Sequence, residues 1–262
     1  MLVNNDKRRI KLDTLIAMTL IMCVFLLGFY NLDNNCNWGD DFAAYINDGI
    51  AIAEGRWDEQ IRINLLQREG PDADIDNKVH VHAFGFPLVH ALTYSLVGFD
   101  RVNFNNLWMY KLPSLIAFAL MAGVFYLFLR RRLSCYGSIF GVAFLCFPIS
   151  FYTDIRNLYN DVIYLALSTG CFYMAEVFFE KKSKEQLTCG ILLALLMWAA
   201  YSTRLNGATI LAAVLLGQIV SNTKKKTALK LSELLPWCVF LLLYFIFNIL
   251  IFPKPTSTSS LI

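Results

Sequence analysis

The stretch Phe84-Gly85-Phe86-Pro87-Leu88-Val89-His90-Ala91-Leu92-Thr93-Tyr94-Ser95-Leu96-Val97-Gly98-Phe99 is apolar enough to enter a bilayer and short for crossing one. A spanning helix needs roughly 20 apolar residues, with about 17 as a lower limit. Whether residues 84–99 span fixes the number of crossings, and so the side on which every later loop lies. Basic residues decide the reading. They cluster at residues 7–11, at Arg130-Arg131-Arg132, at Lys181, Lys182 and Lys184, and at Lys224-Lys225-Lys226 with Lys230. Short cytoplasmic loops collect Lys and Arg, so an even number of crossings should separate each cluster from the next. The apolar runs are 12–30, 84–99, 112–129, 136–152, 159–179, 187–201, 205–220 and 234–252. Three of them fall between the first two clusters, one too many. Residues 84–99, containing Gly85, Pro87 and His90, form the run to demote to a helix that dips into the outer surface. Each later interval then holds two crossings.

The expected fold is therefore an all-α polytopic membrane protein of about seven transmembrane helices, with amphipathic surface helices in the first outer loop. It is read as a single membrane domain over residues 1–262. The first span is 12–30, the outer loop 31–110, the six further spans lie within 111–252, and 253–262 is a tail. The composition agrees: 57% hydrophobic and 16% charged residues, with a mean hydropathy of +0.50, exclude an ordinary soluble domain. The first run follows Lys7, Arg8, Arg9 and Lys11 and lacks a small-x-small cleavage site, so it reads as an uncleaved signal anchor. The expectation is a multi-pass protein of a bacterial plasma membrane with a cytoplasmic N-terminus; its medium is the lipid bilayer, and nucleic acid is not a partner. The seven cysteines have no metal-site spacing. Cys23, Cys146, Cys171, Cys189 and Cys238 fall in or beside apolar runs as small packing residues, and Cys36 falls in the outer loop.

With this topology the outer face collects Asp40, Asp41, Asp48, Glu54, His80, His82, Asp154, Arg156, Asp161 and Arg204. Phe42, Ile46, Ile50, Ala53 and Trp57 recur at spacings of three and four, an apolar stripe along one helix. Asp41, Tyr45 and Asp48 fall on another face, expected to look onto the outer surface. Asp40 or Asp41 reads as a general base or a divalent-cation ligand; the plainer reading is a helix N-cap with a second carboxylate in the first turn. His80-Val81-His82 alternates, so in an extended chain both imidazoles face one way, toward a metal with Asp76 or simply toward water. Asp161 either complements the start of its own helix or lines a watery site with Arg156. Residues 187–220 would make roughly 51 Å of helix, too long for one crossing, so a break falls near Ser202-Thr203-Arg204-Leu205-Asn206-Gly207. That break puts Arg204 at headgroup depth, as a snorkelling anchor or as a guanidinium fork for a lipid-linked phosphate.

Taken in order, Trp38-Gly39-Asp40-Asp41, the Tyr45 helix and Gly55, Phe84-Gly85-Phe86-Pro87-Leu88, Lys111-Leu112-Pro113-Ser114, the Arg130-Arg131-Arg132 loop, the 156–161 loop and Thr203-Arg204-Leu205-Asn206-Gly207 resemble the C-type integral-membrane glycosyltransferases. That superfamily includes the protein O-mannosyltransferases and the aminoarabinose transferases. The resemblance implies transfer of a sugar from a polyprenyl-phosphate donor to an acceptor at the outer face. It implies Asp40, with Asp41 as second choice, as the catalytic carboxylate. Asp161 or Asp154 would match a second acidic residue, and Arg204 a contact for the carrier phosphate. Arg156, Tyr45 and His82 join these as expected substrate contacts. A divalent cation held among Asp40, Asp154 and Asp161 is an open cofactor. Family members usually continue through further helices and often a soluble domain, so the resemblance implies their N-terminal module, which either suffices, is completed by a membrane partner subunit, or is truncated or inactive. The rival readings are a flippase or transporter of a lipid-linked substrate, and a non-catalytic subunit of a larger transferase.

Overall fold

In a bilayer every backbone N–H and C=O must be satisfied within its own segment, which makes the apolar runs helical. The computed structural model describes residues 2–35, 42–69, 83–101, 103–181, 183–225 and 231–252, and among these there is no strand. In chain order the helices are α1 (Leu2–Tyr30), α2 (Phe42–Ala53), α3 (Trp57–Glu69), α4 (Gly85–Val97), α5 (Leu107–Arg130), α6 (Cys135–Cys146), α7 (Ile149–Arg156), α8 (Asn160–Glu180), α9 (Ser183–Thr203), α10 (Ala208–Lys225) and α11 (Leu231–Phe245). A 3₁₀ turn, Leu205–Gly207, separates α9 from α10, and a π-helical turn, Ile246–Ile251, extends α11.

Six segments are long and apolar enough to cross a membrane: Ile10–Tyr30, Leu107–Arg130, Asn160–Glu180, Lys184–Thr203, Leu205–Lys224 and Ser232–Ile251. The pair α6 and α7, bent by 47°, makes a seventh when taken as one broken span. The sequence presents this pair as one run, 136–152; the break comes at Phe147-Pro148, where Pro148 has no N–H to continue the ladder and starts α7 instead. Helix α4 has 13 residues, about 20 Å, and falls short of a hydrocarbon core of about 30 Å.

Ion pairs fix which helix ends share a level. Asp13 of α1 accepts from Arg130 Nε at 2.8 Å and from the Tyr126 hydroxyl at 2.9 Å, and Arg131 and Arg132 pair with Glu176 of α8. This is the basic end. At the opposite end Asp33, just past α1, binds Lys111 of α5 and Arg156 of α7. Together with the described residues between α1 and α5 it makes up the loop end.

Helix α5 is the central post. Its buried Leu115, Phe118, Met121, Ala122 and Tyr126 meet Ala17 and Val24 of α1, Val142 and Cys146 of α6, and Tyr152 and Ile155 of α7. A Cβ on Gly123 would stand 2.6 Å from Ile21 Cδ1, so glycine here lets α1 close onto α5, as small residues do in helix pairs packed in lipid. A second cluster, with Cys171, Phe178, Met197, Ile210, Val214 and Phe240, joins α8, α9, α10 and α11. Leu15, Met18, Met22 and Leu26 of α1 point outward and stay more than half exposed, a lipid-facing stripe.

The loop end departs from the expected surface helix. The stripe residues Ile46, Ile50 and Trp57 are buried, but so are Tyr45 and Asp48 on the face expected to look outward. Two neighbours cause this. Helix α3 covers one side through Asn64, and α4 covers another so closely that a Cβ on Gly49 would lie 2.6 Å from His90 Cβ and 2.9 Å from the backbone of Pro87 and Ala91. Phe84, before α4, stacks on Phe252 with centroids 4.6 Å apart and packs with Trp57 and Ile61, locking α3 and α4 to the end of the last span.

Candidate functional site

The site is built where α8 begins and α9 ends. Arg204 leaves the helix in an extended conformation, with φ −152° and ψ 132°, between α9 and the 3₁₀ turn. Three residues of the first α8 turns hold that crossing. Asn160 Nδ2 donates to Thr203 O at 3.3 Å, the Tyr164 hydroxyl donates to Asn206 O at 3.1 Å, and Asp161 pairs with the Arg204 guanidinium. Asn160 and Tyr164 are one turn apart and hold the backbone, while Asp161 takes the charge. Arg204 and Asp161 remain 37% and 51% exposed, so their charges face water or a headgroup layer and not the apolar interior.

The start of α4 forms the neighbouring wall. A Cβ on Gly85 would lie 2.6 Å from Ser202 C and 2.7 Å from Thr203 N, so only glycine allows α4 to abut the backbone that leads into Arg204. One position on, Phe86 sits in a buried cluster with Tyr45 of α2 and Ile163 of α8, its ring edge-on to Tyr45 at 5.0 Å. The first turns of α2, α4 and α8 thus meet at one corner, two residues from Asp161. Asp40 and Asp41, which directly precede α2 in the chain, lie outside the described residues, as do His80 and His82.

A second polar group stands at the same end. Lys111 is fully buried, and its ammonium donates to Asp33 Oδ1 at 2.9 Å, to Asp33 O at 2.8 Å and to Asn35 O. Arg156 Nη2 reaches the other Asp33 oxygen at 2.6 Å. Burial alone would push the Asp33 carboxyl up, but the two cations outweigh it and hold its pKa below the ordinary 3.8. A buried ammonium is tolerable because all of its donors are used, and the clamp fixes the chain leaving α1.

The sequence residues are thus redistributed. Arg156 pairs with Asp33 and not with Asp161, because α7 ends beside α1. Tyr45 is a packing residue, 7% exposed. Asp154 has intermediate exposure, and among the described residues no three His, Cys, Asp or Glu side chains come together, so Asp154 and Asp161 are not part of a described metal cage. The pairing of Lys111 with Asp33 escapes sequence reading: a Lys just ahead of the run 112–129 carries no mark of burial, and its partner lies 78 positions away. Asn160 and Tyr164 carry no signal beyond a polar start to an apolar helix. Comparison with protein families, characterised proteins and solved structures finds no match for this chain.

Proposed function

We infer that this protein is a membrane glycosyltransferase that moves a sugar from a polyprenyl-phosphate donor to an acceptor at the loop end. The observation that carries the reading is the Arg204–Asp161 pair, half exposed where two spans break, at the corner shared by α2, α4 and α8. One guanidinium nitrogen meets Asp161, which leaves further N–H donors of the fork for a phosphate at headgroup depth. Asp161 orients that fork. Asp40, with Asp41 as second choice, takes the proton of the acceptor hydroxyl as its oxygen attacks the anomeric carbon. The carbon–oxygen bond to the carrier breaks, and polyprenyl phosphate leaves with the bonding pair. Arg204 balances the charge gained by the phosphate, an interaction worth most in the transition state. The Lys111–Asp33–Arg156 clamp, buried at Lys111, anchors the chain ahead of the Asp40 segment and has no part in the chemistry.

The test is transfer in proteoliposomes supplied with a labelled polyprenyl-phosphate sugar and extracted membrane acceptors. Asp40→Asn should cost roughly 100-fold or more, the usual effect of losing a general base. Arg204→Gln should cost about tenfold or more, with Arg204→Lys recovering part, since a point charge replaces a fork. Full transfer by Asp40→Asn, Asp41→Asn and Arg204→Gln proteins, inserted normally, sinks the assignment. Movement of labelled donor between leaflets without transfer would instead identify a flippase.

A further inference from the structure

At the basic end a cleft of about 720 Å³ opens between the turn after α5, the end of α8 and the end of α10. Arg131, Arg132 and Lys224 meet Glu176 and Glu180 around it, three cations to two carboxylates. Glu176 pairs with both arginines and Glu180 with Arg131, so the internal pairs leave one positive charge in excess, and Lys224 has no ion-pair partner among the described residues. The Arg132 guanidinium lies over the Phe128 ring at 4.5 Å, held at the boundary between the charged rim and the apolar interior. Beside the rim lies a crevice of about 170 Å³, walled by Phe128, Phe172, Phe179 and Val214. Both spaces share Glu176, Phe179 and Gly217 in their walls, so the crevice adjoins the rim. Small residues keep them open: a Cβ on Gly217 would already touch Phe179 at 3.4 Å, and Ala213 precedes it by one turn on the same face of α10.

We propose that this cleft is a binding site for an anionic phospholipid of the leaflet at the basic end. Its phosphodiester lies between Arg132 and Lys224, and one acyl chain lies in the crevice between α8 and α10. The single negative charge of such a headgroup neutralises the single excess cation of the rim. The level is right as well, because α5, α8 and α10 all end there, at the depth where headgroups lie. The apolar crevice distinguishes a lipid from a soluble phosphate, which would gain nothing from the phenylalanine walls. The site lies at the opposite end of the molecule from Arg204 and stands whatever the reaction at the loop end.

The test uses the full chain in detergent, with phosphatidylglycerol added and bound lipid counted by native mass spectrometry. One retained phosphatidylglycerol is expected, in preference to phosphatidylcholine. Lys224→Gln with Arg132→Gln, which removes both charge-assisted contacts, should weaken retention by about tenfold for each, roughly 100-fold together. Gly217→Phe, which fills the crevice and keeps every charge, should weaken it comparably. Thermal melting of each variant separates lost binding from lost fold, and a variant that does not fold is replaced by Lys224→Gln alone or Gly217→Leu. Equal retention by folded variants and wild type, equal retention of phosphatidylcholine, or equal competition by glycerol phosphate overturns the proposal.

Discussion

Asp48 is 1% exposed; Asn64 Nδ2 donates to one of its oxygens at 2.7 Å, and the other has no partner among the described residues. Burial outweighs the lowering effect of the neighbouring Asn64 and Gln60 amides and pushes its pKa up from 3.8 to about 6. His90 nearby in the same layer is fully buried with both ring nitrogens unpartnered, and burial lowers its pKa from 6.5 to about 3. The signs oppose. As pH rises from 3.8 to about 6 the unfolded chain gives up the Asp48 proton and the folded chain keeps it, so stability falls over that window and then stays lower by about 3 kcal/mol. As pH falls below 6.5 the unfolded chain protonates His90 and the folded chain does not, so stability is also lost toward acid. Across the overlap the two slopes largely cancel. Asp48→Asn removes one of them: melting midpoints in detergent should be equal to or above wild type at pH 7 and should drop on acidification more steeply than wild type. A superposable profile would mean that the carboxyl ionises normally. The sequence offers Asp48 only as a polar face of α2, because the residues of α3 that bury it, Gln60 and Asn64, are themselves polar and leave no apolar period to read.

At the scale of elements, the spans were legible and the loop-end helices were not. Hydropathy and charge parity mark α1, α5 and α8 to α11, and they demote α4, since these depend on residue type and length alone. The pairing of α2 with α4 depends on Gly49 and Gly85, which look like helix-weakening residues until their neighbours are known. At Gly49 the obstacles are the Pro87 and Ala91 backbone, and at Gly85 the Ser202 and Thr203 backbone, neither of which can turn aside as a side chain can. Gly49→Leu should therefore push α2 off α4 and cost on the order of 1–3 kcal/mol, as over-packing does, with Gly49→Ala smaller in the same direction. Gly85→Ala acts elsewhere: by prising α4 from the end of α9 it should lower transfer activity more than it lowers the melting midpoint. Parallel melts and transfer assays check both. An unchanged midpoint in Gly49→Leu would show that the two helices are not in close contact.

For the molecule as a whole, the bent pair α6 and α7 decides whether one side or two receives the polar groups. Were it a re-entrant loop, α7 would return to the basic end, and Arg156 could not meet Asp33. Arg156 does meet Asp33, and Asp33 also holds Lys111 at the start of α5, so the ends of α1 and α7 and the start of α5 share a level. Arg132 and Glu176 tie the end of α5 to the far part of α8 at the other level. The pair therefore crosses, and Arg204, paired with Asp161 at the start of α8, falls on the same side as Asp33. Single cysteines placed in a cysteine-free background at Asn105, Asn157 and Leu205 should react with an impermeant maleimide from one side of sealed vesicles. Cysteines at Ser134 and Lys181 should react only from the other. Asn157 labelled together with Ser134 would make α6–α7 re-entrant, separate Arg204 from the loop end, and remove the shared corner on which the transferase reading rests.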